Sequence, residues 1–402
     1  MHDAERNPAA LPLLPARQKD NRRGVSAAAR DKLHAAANHE EASLRIKSVW
    51  TICGIFLTFA IIPGTSHPVS AQGQAQPQTQ TSGQAGAAPQ TAPAARPAGP
   101  SGQTQQLEGV ENEIEATLWH LRVGDVAEID QFEIASSKPI RMPNPTGQGA
   151  GNPLILYLYT FTPKKLAAGQ KAPLIVFNHD GIHSHFNMPY VHIVREMMDL
   201  GYVVVAPEYR GSTGYGEEYF SQIDYGGAEV DDVHDVRNWA VANLPHVDPE
   251  RVGIMGWSHG GYITLMNIFR WPHDYKVAYA GCPVSDLVMR MGYKAQAYRD
   301  LYAGFIGKQA EDDPMEYRKR SPVFYADKLD MPLLVHSNTN DEDVNVMEVQ
   351  HLIEAFKAAG KTFDSKIYDN APGGHSFNRL DTALARQSRQ EIYAFLAKYL
   401  KP

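Results

Sequence analysis

Two cysteines in 402 residues leave no room for a disulfide framework. Cys53 falls in an apolar stretch near the amino terminus, so Cys282 is the single thiol of the remainder. Long hydrophobic runs are also missing. The longest apolar run without a charge, Val49 to Ile62, has 14 residues, against the about 20 that a membrane-spanning helix needs. Basic charge is scarce where the chain can fold. Residues 1–107 hold ten Lys and Arg against six Asp and Glu, whereas the remainder holds 28 against 39. That acidic excess lacks the electrostatic footprint of a nucleic-acid binder, and no nucleic-acid partner is expected. Hydrophobic residues at 43% exclude a wholly disordered chain.

The first hundred residues read as address and tether. Arg45 and Lys47 lead into the Val49–Ile62 run, and Pro63-Gly64 breaks it. Val69-Ser70-Ala71 then offers the small residues that a signal peptidase reads. Residues 1–71 are therefore expected to be a basic leader and signal peptide or anchor. The protein is expected to be exported, periplasmic or secreted, with residues 49–62 as its membrane tether if cleavage does not occur. Residues 72–107 reduce to Gln, Ala, Pro, Gly, Thr and Ser, and read as a disordered linker.

Beyond the linker, short apolar runs alternate with amphipathic stretches. Leu154–Thr160, Leu174–Asn178, Tyr202–Pro207, Val252–Trp257, Val277–Ala280 and Leu333–His336 read as strands, several apolar on both faces. Such strands belong to a parallel sheet covered on each side. Val230, Val233, Val236, Ala240 and Leu244 recur at helical spacing, and Tyr262–Phe269, Val346–Ala359 and Thr382–Tyr399 look similar. Residues 108–402 are expected to form one α/β domain, a doubly wound, mostly parallel sheet with helices on both faces. Within it, residues 108–169 read as an N-terminal β extension with loops.

The most informative residues are Gly256-Trp257-Ser258-His259-Gly260-Gly261, a G-x-S-x-G pattern between an apolar strand and an apolar helix. A serine on such a sharp turn has its hydroxyl exposed, its neighbours stripped of side chains, and the next N–H aimed at a developing oxyanion. Ser258 is thus the candidate nucleophile and His259 supplies an oxyanion N–H. A serine needs a base, and His375, in Pro372-Gly373-Gly374-His375, follows the strand-like Lys366–Tyr368. The chain order Ser, acid, His places the acid in Asn340-Asp341-Glu342-Asp343-Val344. On spacing alone Asp341 and Asp343 are equivalent.

With these motifs in place, residues 170–402 resemble the catalytic domain of the prolyl oligopeptidase family of serine peptidases, within the α/β-hydrolase superfamily. Ala206-Pro207-Glu208-Tyr209-Arg210-Gly211, Val247-Asp248-Pro249-Glu250-Arg251-Val252-Gly253 and Ser321-Pro322 also carry the resemblance. It implies an acid in a D-x-x-V pattern, which matches Asp341 through Val344 and favours Asp341. Two departures stand out. Peptidases of the family usually carry a β-propeller, and residues 108–169 are too short for one. The oxyanion loop reads His179-Asp180-Gly181-Ile182 where the family has H-G-G-P or Y-x-G-P. His179 falls where some members place an oxyanion-binding tyrosine, so its imidazole, or a backbone N–H of this loop such as that of Asp180, is expected to line the oxyanion site.

His179, His183 and His185 raise the question of zinc, but their spacing matches no helix-borne ligand pair. No metal and no cofactor are expected. The expectation is an exported serine hydrolase cleaving peptide or acyl-amino bonds through a Ser258-His375-Asp341 triad and an acyl-enzyme. A carboxylesterase using the same triad on acyl esters is the alternative, and a non-catalytic binding protein on this scaffold is the third reading. The segment from Asp286 to Arg320 is expected to cap the cleft.

Overall fold

The computed structural model describes residues 17–18, 102–141 and 151–402. Apart from Arg17–Gln18, the leader expected over residues 1–71 and the linker up to residue 101 lie outside the described residues.

The apolar runs become strands, and the amphipathic stretches become the helices between them. In chain order the first are β1 (Arg17–Gln18), α1 (Gly102–Val123), β2 (Ala127–Pro139), β3 (Pro153–Pro163) and β4 (Ala172–Asn178). The chain continues through α2 (Val191–Leu200), β5 (Val203–Glu208), the short α3 (Glu217–Phe220) and α4 (Ala228–Asn243). β6 (Val247–Trp257), α5 (His259–Arg270) and β7 (Val277–Gly281) follow. Three helices come next, α6 (Leu287–Tyr293), α7 (Gln296–Ile306) and α8 (Pro314–Lys319). The chain ends with β8 (Leu333–Asn338), α9 (Val346–Ala358), β9 (Asp364–Tyr368) and α10 (Ala383–Leu400).

The strands form one nine-stranded sheet in the order β1-β2-β3-β5-β4-β6-β7-β8-β9. From β5 to β9 all pairings are parallel, and β1, β2 and β3 add antiparallel pairs on the β5 side. Strand alternation explains why the runs are apolar throughout. Leu174 and Val176 of β4, with Val252 and Ile254 of β6, enter a core shared with α4, α5 and α9. Ile175, Phe177, Met255 and Trp257 enter the opposite core with α1, α2 and α10. Both faces are covered, as the sequence pattern requires. Among the described residues, no helix is long and apolar enough to cross a membrane.

One element differs from expectation. Residues 108–123 are not part of a β extension but the body of α1, which begins at Gly102, so residues 102–107, expected to end the disordered linker, are helical too. Its Trp119 is fully buried against Phe161 and Phe186, at ring-centroid distances of 5.0 and 5.3 Å. Val110, Ile114 and Leu121 point to solvent, and this scatter of apolar residues around the helix hides its period. The antiparallel β2–β3 pair does follow, as the extension implied.

The parallel order reverses between β4 and β6, where the chain, having added β5 on one side, returns to the other. Crevices beyond the carboxyl ends of strands at such a reversal are where open α/β sheets place their ligands. The Ser258 turn leaves the end of β6 at this point.

Candidate active site

Ser258 joins β6 directly to α5 with φ 54° and ψ −119°, a left-handed backbone that a non-glycine residue adopts only under constraint. The constraint is visible. The Ser258 N–H donates to the Gly281 carbonyl of β7 at 2.8 Å, and the Tyr262 N–H to the Ser258 carbonyl at 2.9 Å. The flanking glycines have no room for side chains. A Cβ on Gly256 would lie 2.5 Å from the Gly260 carbonyl, and one on Gly260 2.4 Å from the Asn178 carbonyl oxygen. The His259 N–H opens α5, so it has no acceptor within its own helix.

Asp341 lies in the loop after β8, its side chain fully buried. Its Oδ1 accepts from the N–H groups of Asp343 and Val344 at 2.9 and 2.8 Å. Its Oδ2 is 2.7 Å from Nδ1 of His375. His375 sits on a three-residue turn, Gly374–Ser376, entered through Gly373 at φ 95°, and remains partly exposed. The structure thus brings Asp341 and His375 together from loops after β8 and β9, each with a polar atom within 4.8 Å of the sulfur of Cys282, the residue next to the Gly281 carbonyl that holds the Ser258 N–H.

Asp343, the other acid of this loop, takes a different place. It lies on the opposite edge of the ring, with Oδ2 3.7 Å from Nε2 of His375. Its Oδ1 is held by Arg290 and Lys294 at 3.0 and 3.1 Å. Burial raises the Asp343 pKa, but its ion pairs, that with Arg290 foremost and that with Lys294 beside it, help to outweigh burial, and the net direction is down.

The His179-Asp180 loop corrects an expectation. The His179 ring is fully buried and stacks on Tyr209 at 4.2 Å. Nδ1 lies 3.0 Å from the Tyr209 hydroxyl and Nε2 3.0 Å from Ser212 Oγ. Both nitrogens have partners in the interior, and burial holds the ring neutral by pushing its pKa well down. It is therefore not an oxyanion donor. The Asp180 N–H donates to the Tyr190 hydroxyl at 2.9 Å, and its carboxylate engages that hydroxyl and Arg379. Asp180 braces the loop and does not face the nucleophile through its N–H. His183 and His185 turn elsewhere, with Nδ1 toward the Gly211 carbonyl and Thr213 Oγ1 respectively, both at 2.8 Å.

Sequence reading missed a buried charge cluster beside the site. Arg290 of α6, 1% exposed, bonds Glu348 of α9 at 2.9 Å as well as Asp343. Its Nε donates to the Tyr298 hydroxyl at 2.8 Å. The partners lie 58 residues apart in sequence, so the contact joins α6 to α9 through tertiary packing alone. Glu208, at the end of β5, is 1% exposed, and burial pushes its pKa up to about 8.

The geometry has clear relatives. A sequence profile described as the prolyl oligopeptidase family matches residues 189–402. The uncharacterized peptidase YuxL of Bacillus subtilis is 30% identical over 223 residues, 54% of this chain and 33% of its own length. The acylamino-acid-releasing enzyme of Arabidopsis thaliana is 26% identical over 280 residues, 67% of this chain and 36% of its own. Among solved structures, an acylaminoacyl peptidase in complex with Z-Gly-Gly-Phe-chloromethyl ketone superposes with a TM-score of 0.58. It is 24% identical, with 69% of this chain and 42% of that chain covered, and shares the fold. Dipeptidyl peptidase 4 of Porphyromonas gingivalis gives a TM-score of 0.51 at 26% identity, covering 62% of this chain and 34% of its own. The chain spans about a third of the length of these curated relatives. With the sheet order, the Ser258 turn and the profile match in agreement, the chain belongs to the prolyl oligopeptidase family of serine-type peptidases, on an α/β-hydrolase fold.

Proposed function

We propose that this chain cleaves peptide or acyl-amino bonds through an acyl-enzyme. Ser258 is the nucleophile, His375 the general base, Asp341 the acid that orients it, and the His259 N–H an oxyanion donor. The observation that carries this reading is the 2.7 Å contact of His375 Nδ1 with Asp341 Oδ2, beside the strained Ser258 turn.

An ionised carboxylate only accepts hydrogen bonds, so the ring proton belongs on Nδ1 and a lone pair on Nε2. Nε2 takes the Ser258 proton as Oγ attacks the carbonyl carbon. The same proton passes to the departing amine as the carbon–nitrogen bond breaks. Water then repeats the sequence on the acyl-enzyme and restores Ser258. The helix N-terminus at His259 favours the negative charge that forms on the carbonyl oxygen.

Tolerance of blocked amino termini follows from the acidic residues nearby. Recognition of a free substrate amine in a desolvated pocket needs a paired carboxylate, since an unpaired buried charge is costly. Glu217 and Glu218 are exposed, and Glu208 is buried with Oε1 accepting from the Phe186 N–H at 2.9 Å. N-acylated peptide anilides should therefore be cleaved at least as well as free-amine ones at about pH 8. A strong preference for free-amine dipeptidyl anilides refutes this.

A carboxylesterase reading stays in play for one reason. Among the described residues, what precedes the parallel strands is one helix and three antiparallel strands, with no propeller. Short acyl esters assayed beside the anilides separate the two activities. We also propose export, with cleavage after Ala71 or retention of residues 49–62 as an anchor. Amino-terminal sequencing of the exported protein, expected to begin at Gln72, decides between them.

A further inference from the structure

Cys282 takes no part in the mechanism above, yet it lies against it. It follows β7 directly, with φ 42°, and is fully buried. Its Sγ, one carboxylate oxygen of Asp341 and one ring nitrogen of His375 lie within 4.8 Å of one another. Asn338 Nδ2, at the end of β8, approaches the same sulfur at 3.7 Å. Among the described residues, this is the only group of three His, Cys, Asp or Glu side chains placed to share an ion.

We propose that Cys282, Asp341 and His375 form an inhibitory site for a thiophilic divalent cation, with Zn2+ the best-matched occupant. The proposal rests on the triad reading, because the ion silences the enzyme by occupying its base. One thiolate, one imidazole and one carboxylate are the ligand types zinc combines, with a water in the fourth place. The same set is poor for Mg2+ or Ca2+, which require oxygen shells.

The geometry needs a small rearrangement. At zinc bond lengths of about 2.0–2.3 Å, tetrahedral ligand atoms sit about 3.3–3.8 Å apart. A contact at the 4.8 Å limit closes by about 1–1.5 Å, and the 2.7 Å contact of Asp341 with His375 opens by about 0.6 Å or more if the ion binds Nδ1. Asp341 is fixed, because its Oδ1 accepts two backbone N–H groups. The movable ligand is His375, on a short turn after two glycines with positive φ, Gly373 and Gly374. The partly exposed edge of that ring is also the entry route.

Binding is a ligand exchange without redox change. The Cys282 thiol loses its proton to solvent and the sulfur takes the metal. If the ion binds Nδ1, the ring proton moves to Nε2 and the base lone pair is lost. If it binds Nε2, that lone pair is occupied directly. Either way Ser258 cannot be deprotonated.

The test uses the full chain in metal-free buffer, titrated with ZnCl2. Two readouts are followed, the rate of labelling by a fluorophosphonate and zinc uptake measured by competition with a chromophoric chelator. Wild type is compared with Cys282→Ser and Cys282→Ala, each normalised to its own zinc-free rate. Zinc should slow labelling of wild type. Loss of the sulfur should raise the half-inhibiting concentration by about 10–100-fold or more and remove one equivalent of uptake. Mg2+ should have no effect. Equal zinc sensitivity in all three chains, or equal uptake, overturns the proposal. Should neither variant fold, Cd2+ added to wild type should produce a thiolate-to-metal charge-transfer band, and its absence is equally fatal. A zinc-free wild type that resists labelling defeats the triad reading instead, while chelator competition still reports on the Cys282 site.

Discussion

His375 stands between two carboxylates, with Asp341 2.7 Å from Nδ1 and Asp343 3.7 Å from Nε2. The two acids are two residues apart but differ in setting. Asp341 is buried and held by two backbone N–H groups, so its position is fixed before any substrate arrives. Asp343 is half exposed and pulled away by Arg290 and Lys294. Only the first arrangement fixes a tautomer with the free lone pair on Nε2.

That difference predicts a ranking. Asp341→Asn should lower kcat by more than about 10²-fold, because an amide no longer specifies the tautomer. Asp343→Asn should cost far less. Steady-state kinetics on one N-acylated anilide measure both, and the reverse ranking makes Asp343 the triad acid.

Breaking the charge cluster should cost stability. Arg290 and Glu348 are 1% and 0% exposed, and removing one charge strands the other. Arg290→Ala should destabilise the fold by about 3–5 kcal/mol in urea titrations. Arg290→Met with Glu348→Leu should recover most of that loss. If the double variant is as unstable as the single one, the cluster is needed for packing and not merely for charge balance.

Glu208 gives stability a pH dependence. Its folded pKa is pushed up to about 8 from an ordinary value of 4.5, mainly by burial. Between those values the folded state keeps a proton that the unfolded chain has released. The stability this group contributes is complete below pH 4.5 and lost as pH rises through about 8. Glu208→Gln should therefore flatten the fall of stability between about pH 5 and pH 9. Glu229, also pushed up to about 8 by burial, keeps part of the slope in the variant. Superimposable curves for wild type and variant contradict the assignment.

The sheet was legible wherever burial on both faces left an unbroken apolar run. Tyr202–Pro207 and Val277–Ala280 became β5 and β7 within a residue or two at each end. Ser258, His259 and His375 stand out in the sequence because the turn and the chain order constrain local residues, and the structure places Ser258 on the turn after β6 and His375 on Asp341. The rest depended on contacts that no local pattern encodes. Asp341 and Asp343 are equivalent on spacing, the D-x-x-V resemblance alone favours Asp341, and the contacts that separate them, Asp341 on Nδ1 of His375 and Asp343 on Arg290 and Lys294, are not local. His179 occupies a cleft position in the sequence, but its nitrogens meet Tyr209 and Ser212 in the interior. The Arg290–Glu348 pair joins α6 to α9, and α1 hides its inward face behind outward apolar residues.

The assignment of Ser258 as the nucleophile is tested most directly by intact-mass and peptide analysis after treatment with a fluorophosphonate. Wild type should gain one adduct, located on Ser258, and lose all hydrolysis. Ser258→Ala should gain none and should lose at least about 10³-fold in activity while keeping its fold. An adduct on another residue, or substantial hydrolysis by the folded Ser258→Ala chain, contradicts the account.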